Sequence, residues 1–282
     1  MSLAFASLSS IKPLFNDQIR RDELLPTLFV GHGSPMNAVE QNEFTKKWEK
    51  LARNFDTPKA IICISAHWLT KGTFVTSMEQ PKTIHDFGGF PQALFDVQYP
   101  APGSVDVAHW TKEVIQSTNV HDDHEWGLDH GTWSVLKNMY PDASIPVLQL
   151  SIDYSKPLSY HFQLAQELKA LRKKGVLIMG SGNMVHNLGM VAWDKLNTPG
   201  FGFDWALEID ALFKLKIENR DYQSLINWTD LHKQISLAVP TLDHYIPLIY
   251  SVGLSEKDDE ISFFNDKAVA GSLTMTSVQF GV

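Results

Sequence analysis

Short, nearly unbroken apolar runs alternate along the chain with longer segments of helical periodicity. The apolar runs lie at 27–30, 59–65, 146–152 and 176–179, with proline, glycine or polar residues between them. Continuous runs of this length are typical of strands that are covered on both faces. They therefore predict the buried strands of a mostly parallel or mixed sheet.

The segments between these runs carry apolar residues at spacings of three and four. This spacing predicts amphipathic helices over 41–54, 104–118, 155–175 and 203–219. Residues 272–280 predict a C-terminal strand whose alternation slips at Ser277. Alternation of strands and helices predicts the α/β class, here a layered α/β/α domain around a central sheet.

The chain is predicted to hold one domain preceded by a short extension. Residues 1–22 are expected to be a mobile N-terminal extension, and 23–282 a single domain. The first eight residues, MSLAFASL, lack the basic start and continuous apolar core of a secretory signal. No internal repeat, low-complexity tract or long linker divides the rest of the sequence.

Composition and charge narrow the class of protein. A hydrophobic fraction of 44% with 20% charged residues is ordinary for a soluble globular protein, and no run approaches a membrane span. The net charge of −8 argues against nucleic acid as a partner, and the one basic run, 172–174, stands at a predicted helix end where cations complement the helix dipole. Cys63 has no second cysteine to pair with, which predicts a buried apolar role and a reducing, cytoplasmic location. The sequence leaves the oligomeric state open.

Histidines follow three of the predicted strands. His32, flanked by two glycines, follows the first strand, and His67 follows the second. His186 follows the strand at 176–179 through a predicted turn of small residues, 180–183. Because ligands bind beyond the carboxyl ends of strands in open α/β sheets, we expect these imidazoles to converge. His244, just before another apolar stretch, is a fourth candidate.

Converging imidazoles predict a site for one divalent metal ion. Neutral imidazole is the commonest protein ligand for ions such as zinc and Fe(II). A zinc site built on cysteines is excluded, since the chain has a single cysteine. The alternative is that each histidine hydrogen-bonds separately within its own loop, and no compact ligand motif such as HExxH decides between the two.

Two further histidines lie in loops rich in glycine and aromatic residues. The segment EWGLDHGTW leaves two roles open for His130. It is either a polar residue of an aromatic-walled pocket or a histidine hydrogen-bonded within a tryptophan-rich turn. His85, beside two phenylalanines and two glycines, is a candidate for the rim of such a pocket. The other histidines lie on helix-like or polar segments, which favours solvated or packing roles.

Read in chain order, these segments resemble the class III extradiol ring-cleavage dioxygenases, specifically their DOPA 4,5-dioxygenase branch. The resemblance implies the fold of the catalytic subunit of that family and an oxidoreductase that opens the ring of a small aromatic diol, a DOPA-like catechol, with O2. The segments that carry the resemblance are GHGSPM (31–36), ISAHW (64–68), DFGGFP (86–91), YPAPGS (99–104), GLDHGTW (127–133), MYPDASIPVLQLS (139–151), GSGNMVHNL (180–188) and DHYIPL (243–248).

The resemblance also implies roles for individual histidines. His32, His67 and His244 are expected to hold the metal ion, with His186 beside it as an acid/base residue or a further ligand. His130 is implied to act near the catechol as a second catalytic residue. Fe(II) is the ion expected for dioxygenase activity, and zinc is another ion that such a site would bind. In members of the family that act on protocatechuate the third ligand is a glutamate, and His244 stands at that position here.

Two other functions remain open from the sequence. The same metal site with zinc would activate water for hydrolysis, with His186 as general base. A non-catalytic protein that binds a metal or a phenol is the other alternative. A serine hydrolase is disfavoured because 180–183, despite its exposed-looking serine, lacks the GxSxG spacing.

Overall fold

The computed structural model describes residues 24–196 and 198–281. The predicted N-terminal extension, 1–22, lies outside the described residues, so that expectation and the single domain over 23–282 stay predictions. The strands are β1 (Thr27–Gly31), β2 (Ala60–Ser65), β3 (Leu69–Thr70), β4 (Thr73–Thr76), β5 (Lys82–Thr83), β6 (Val120–Asp123), β7 (Gly127–Leu128), β8 (Val147–Gln149), β9 (Ile152–Asp153), β10 (Val176–Gly182), β11 (Ile261–Phe264), β12 (Ala268–Val269), β13 (Leu273–Thr274) and β14 (Ser277–Phe280).

A six-stranded sheet forms the centre of the described structure, in the order β11-β14-β1-β10-β2-β8. Strands β1, β10, β2 and β8 run parallel to one another, whereas β14 pairs antiparallel with β1 and with β11. The predicted central mixed sheet is therefore confirmed. The short strands β3 to β7, β9, β12 and β13 form four two-stranded ladders apart from it.

The four predicted helices are present, each somewhat shorter than its predicted range. Asn42 caps α1 through the backbone N–H groups of Phe44 and Thr45, and Ser104 caps α3 as its position predicts. The helices are α1 (Glu43–Leu51), α2 (Gln92–Phe95), α3 (Val105–Val114), α4 (His130–Met139), α5 (Leu158–Arg172), α6 (Asp204–Glu218), α7 (Tyr222–Ile226), α8 (Ile235–Ala238) and α9 (Ile246–Leu254).

The sheet separates two hydrophobic cores. Leu28 and Val30 of β1 belong to the same core as Trp48 of α1 and Trp133 of α4. Phe29, between them in the strand, belongs to the opposite core, which contains the apolar side chains of α5, α6 and α9. Because successive strand residues point to opposite faces, a strand packed on both sides must be apolar throughout. This explains the unbroken runs and agrees with the predicted α/β/α layering.

Strand β10 is longer than predicted, because the expected turn at 180–183 continues the strand to Gly182. Gly180 and Gly182 pair in register with β1, and they lie against the first turn of α9 and the residues just before it. A Cβ on Gly182 would lie 2.2 Å from the carbonyl oxygen of His244, and one on Gly180 would lie 2.3 Å from that of Pro247. The absence of side chains at these two glycines therefore lets the backbone at His244 and Pro247 pack closely against β10. This contact places His244 at the end of the sheet.

The Gly182 contact predicts a large effect of a single methyl group. We expect Gly182→Ala to lower the free energy of unfolding by about 1–3 kcal/mol, because the backbone of the His244 segment must move away. Chemical denaturation of both proteins measures the difference. Gly88→Ala is the matched control, since a Cβ there meets no atom of residues 24–196 or 198–281 within 4 Å. A similar loss in both variants would contradict the role given to close packing at Gly182.

Two other predicted strands are interrupted. The run at 146–152 divides into β8 and β9, and β9 pairs with β3 outside the central sheet. The C-terminal run divides into β13 and β14, where the Ser277 hydroxyl donates to the carbonyl of Met275. The interruption lies just before Ser277, where the sequence pattern slips.

The basic run lies at the end of α5, as predicted, and Arg172 also makes buried contacts there. Arg172 is only 1% exposed, and its guanidinium pairs with Asp259 at 2.8 Å and donates to the carbonyls of Leu25 and Leu254. It therefore holds three chain segments together. Cys63 is fully buried, as predicted, and burial raises the pKa of its thiol. Among the described helices, none combines the length and apolar character that crossing a membrane requires.

Candidate metal centre

The order of the parallel strands brings two of the predicted histidines together. β10 lies between β1 and β2, and all three run in the same direction. Their carboxyl ends therefore share one edge of the sheet, where His32 follows β1 and His67 follows β2. The Nε2 atoms of these two histidines are 3.2 Å apart.

His244 joins them from the opposite end of the chain, two residues before α9. Its ring centre is 5.3 Å from that of His32 and 5.1 Å from that of His67, and the His32 and His67 ring centres are 5.0 Å apart. The three imidazoles thus form a nearly equilateral triangle, which we call the histidine triangle.

Two further histidines flank the triangle at shorter ring distances. The His186 ring stacks on His244, with ring centres 3.6 Å apart and planes 7° from parallel. His130, the first residue of α4, has its ring centre 3.9 Å from that of His67. Ring nitrogens of His32, His67 and His130 lie within 4.8 Å of one another, so by this distance these three residues, without His244, could hold a metal ion.

Ser181 determines which nitrogen of His32 carries the proton. Its hydroxyl lies 3.0 Å from Nδ1 of His32 and donates to the carbonyl of Gly131 at 2.5 Å. A serine hydroxyl has one proton, so its oxygen must accept from Nδ1–H of His32. Nε2 of His32 is then left with a free lone pair that faces Nε2 of His67.

Carboxylates lie behind the other rings. Asp243 Oδ2 is 2.9 Å from Nδ1 of His244, and Asp86 lies 2.9 Å from Nδ1 of His130 and 3.6 Å from Nδ1 of His67. A carboxylate next to one ring nitrogen fixes the orientation of the ring, so that the other nitrogen points away from the carboxylate. This arrangement is common for histidines that bind metals.

Burial keeps several of the imidazoles neutral. It lowers the pKa of His32 and of His67 well below the ordinary value, and the neighbouring imidazoles add to the effect. Burial likewise lowers the pKa of His186 to about 3. Burial acts to raise the pKa of Asp243, but the adjacent His244 outweighs it and the pKa falls. Neutral imidazoles beside ionised carboxylates form a donor set suited to a cation.

Asp129 fixes the position at which α4, and therefore His130, begins. This buried N-cap accepts from Thr132 N–H, from the Ser65 hydroxyl at 2.7 Å and from Gln149 Nε2 at 2.6 Å. Ser65 is the last residue of β2, so the same carboxylate links the helix to the strand that precedes His67.

The structure brings together the histidines selected from the sequence, and it adds residues that the sequence did not reveal. His32, His67, His186, His244 and His130 share one cluster, as the ring distances above show. His85 instead donates from Nε2 to the carbonyl of Val97 and packs against aromatic rings.

The contacts of Asp86 and Ser181 with the clustered histidines were not predicted from the sequence. Asp86 lies 44 positions before His130, and Ser181 lies 149 positions after His32. Their contacts depend on how distant segments pack, so no local spacing could have revealed them.

Comparisons with known proteins identify the family. The family model "Catalytic LigB subunit of aromatic ring-opening dioxygenase" matches residues 26–278. A protein of Escherichia coli (strain K12) named 4,5-DOPA dioxygenase extradiol is 45% identical over 273 residues, covering 95% of this chain and 99% of that protein. A protein of the same name from Beta vulgaris is 32% identical over 266 residues, covering 92% and 97%.

A solved structure agrees with these matches. The crystal structure of an uncharacterized protein from Escherichia coli K12 is similar with a TM-score of 0.79 and 41% identity, covering 91% of this chain and 99% of that one. The resemblance inferred from the sequence motifs is therefore confirmed. The chain belongs to the LigB family of aromatic ring-opening dioxygenases, and it is a ring-cleavage dioxygenase.

Proposed function

We propose that this enzyme opens the ring of a DOPA-like catechol beside its two hydroxyl groups, using O2 and one Fe(II) ion held by His32, His67 and His244. Its relatives from Escherichia coli and Beta vulgaris bear the name 4,5-DOPA dioxygenase extradiol. The observation that carries the proposal is the histidine triangle at the end of the sheet.

The distance between the two Nε2 atoms fits a shared ion. Two imidazole nitrogens bound at about 2.1 Å and separated by roughly 90–110° on one ion lie about 3.0–3.4 Å apart. The observed 3.2 Å falls within this range. Without a cation or a bridging proton, the lone pair on His32 Nε2 would face His67 Nε2 at short range in a buried site, which is unfavourable.

The ring-centre distances favour His244 over His130 as the third ligand. Imidazole rings bound in this way have centres about 4.5–5.2 Å apart, since each ring centre lies beyond its nitrogen. The triangle, with sides of 5.0, 5.1 and 5.3 Å, is close to this range, whereas the 3.9 Å between His67 and His130 is too short for two ligands of one ion. The same argument applies to the 3.6 Å between His186 and His244. We therefore assign His130 and His186 to acid/base work beside the ion.

Fe(II), when bound, supplies the redox chemistry that lets dioxygen react with an aromatic diol, and zinc does not have this chemistry. The chain's own task is to bind the catechol and to manage its protons. Both hydroxyl groups must lose protons as the diol becomes an anion, and neutral imidazoles are the natural acceptors. His130 and His186 flank opposite members of the triangle, so each can serve one hydroxyl group.

The two imidazoles differ as bases. Burial lowers the pKa of His186 to about 3, so this ring accepts a proton only transiently and can return it readily. His130 has Asp86 2.9 Å from its Nδ1 atom, and a carboxylate in that position orients the ring. We therefore assign the first proton to His130 and a later, reversible transfer to His186.

Oxygen uptake tests the proposed function. Protein purified without added metal is loaded anaerobically with Fe(II) and mixed with L-DOPA, dopamine, 4-methylcatechol or protocatechuate in an oxygen electrode. We expect one O2 consumed per catechol and a yellow ring-opened product whose mass has increased by both oxygen atoms.

The other outcomes separate the alternative functions. No turnover across the panel by fully loaded protein would contradict the proposal and favour a binding protein. Hydrolysis of esters or amides by the zinc form, indifferent to O2, would favour a zinc-dependent hydrolase. A cytoplasmic location, inferred from the single buried cysteine, fits a soluble substrate of this kind and stays part of the proposal.

A further inference from the structure

The loop that carries Asp86 is held against the start of α4. It follows β5, which pairs with β7, and β7 leads directly into α4. Ile84 N–H donates to the carbonyl of Leu128 at 2.7 Å, and the Trp133 indole N–H donates to the carbonyl of Ile84 at 2.8 Å. These bonds fix the position of Asp86 relative to the first turn of the helix.

The Asp86 carboxylate contacts His130 at two points and His67 at a third. Its Oδ1 atom accepts from the backbone N–H of His130 at 3.0 Å and lies 2.9 Å from Nδ1 of the same residue. Its Oδ2 atom is 3.6 Å from Nδ1 of His67, and the side chain is 17% exposed. Although burial acts to raise the pKa of Asp86, contact with His130 outweighs it and lowers that pKa, so the carboxylate is ionised.

An ionised oxygen at this distance decides which nitrogen of His130 carries the proton. Nδ1 of His130 is buried and makes no hydrogen bond of regular geometry with any described residue, so its polar neighbour there is the Asp86 oxygen. An unprotonated Nδ1 would set a lone pair against an anion in a buried position, which is strongly unfavourable. A protonated Nδ1 is attracted to the same oxygen. Such contacts are often poorly aligned before substrate binds and tighten afterwards.

We propose that Asp86 is a positioning residue that holds His130 in its Nδ1–H form, which leaves the Nε2 lone pair to accept a proton from a hydroxyl group of the catechol. The inference rests on the proposed function for the identity of the proton donor. The Asp86–His130 pair resembles the Asp–His pair of a Ser-His-Asp triad, in which the carboxylate orients the catalytic imidazole. The His186 ring has no hydrogen-bonding partner among the described residues, so His130 is the oriented base of the two.

Kinetics of the iron-loaded full chain test the role of Asp86. We expect Asp86→Asn to lower kcat by about 100-fold, in the usual range for an acid/base group, with KM for L-DOPA changed by less than about threefold. His130→Gln should lower kcat by a similar factor. Because Asp86 acts through His130, adding Asp86→Asn to His130→Gln should lower kcat by no more than about threefold further.

Asp123→Asn is the matched control. Asp123 accepts from the backbone N–H groups of Glu125 and Trp126 in the loop before β7 and makes no contact with the histidine cluster. The kcat of the Asp123→Asn variant should equal that of the unmodified enzyme. Iron content of every variant is measured alongside, since loss of iron in Asp86→Asn would mean that the carboxylate acts through His67 and would overturn the proposal.

A second measurement does not depend on activity. In the zinc-loaded full chain labelled with ¹⁵N-histidine, the nitrogen chemical shifts report which ring nitrogen of His130 is protonated, and His130→Gln identifies the signals. We expect protonation at Nδ1, and loss of this preference in Asp86→Asn but not in Asp123→Asn.

Besides loss of iron in Asp86→Asn, three results would overturn the proposal: protonation of His130 at Nε2, an unchanged preference in Asp86→Asn, or independent losses of kcat in the double variant. If the iron-loaded enzyme opens no catechol, the proposed function fails, and the nitrogen shifts still decide whether Asp86 orients His130.

Discussion

Replacing His244 with alanine is expected to cost the protein its metal ion and nearly all of its oxygen-dependent activity. His244 is one of three proposed ligands, and even the outer partners of such ligands are worth about 10–100-fold in metal affinity, so loss of a ligand should exceed that range. Elemental analysis after dialysis against a weak chelator measures the retained ion, and the oxygen electrode measures activity.

His130→Ala is the decisive comparison for this prediction, because His130 also belongs to a group of imidazoles that could hold an ion. We expect His130→Ala to retain one ion per chain while its turnover falls. His85→Ala is a control outside the cluster, since His85 bonds to the carbonyl of Val97, and it should retain the ion as well. If His244→Ala kept its metal and His130→Ala lost it, the ligand assignment would be wrong.

Replacing the iron by zinc is expected to abolish turnover without abolishing catechol binding. Both ions accept imidazole ligands, and three histidines leave coordination positions open on either ion. Zinc has no redox chemistry, so the zinc form should bind 4-nitrocatechol, seen as a shift in its absorption, and consume no oxygen.

The iron form prepared in parallel from the same metal-free protein is the control for the zinc form. Equal oxygen uptake by the two forms, with iron contamination excluded by elemental analysis, would contradict a redox role for the ion.

In the proposed site, a ligand set made only of imidazoles would leave the full double charge of the ion in place. Two carboxylates lie behind the imidazole rings. Asp243 is next to Nδ1 of His244, and Asp86 is next to Nδ1 of His130 and of His67. Their negative charge offsets part of the ion's charge without occupying a coordination position. On the proposed function, a catechol anion would therefore meet a site that attracts it and still has coordination positions to bind it.

The sequence predicted most of the fold because the signals are local. The strand that ends at Ser65 is apolar on both faces, and the helix with Trp48 and Leu51 repeats at helical spacing, so each can be recognised from a few residues. The convergence of His32 and His67 also followed from the sequence, since parallel strands end at one edge.

The features that were missed depend on packing between distant segments. Gly180 and Gly182 were taken for a turn because glycine breaks strand patterns, whereas their role is to let the His244 segment approach the sheet. The position of Arg172 at a helix end was predicted, but its partner Asp259, 87 positions away, was not. Asp86 carries no local signal of its role, because its partners are His130 and His67.

Diffraction from crystals of the Fe(II) enzyme, recorded anaerobically at wavelengths on both sides of the iron absorption edge, would locate the ion and its ligands. We expect one iron peak per chain, about 2.1 Å from a ring nitrogen of each of His32, His67 and His244, with His130 beyond bonding distance. An iron bound by His130 in place of His244, or bound away from the histidine triangle, would contradict it.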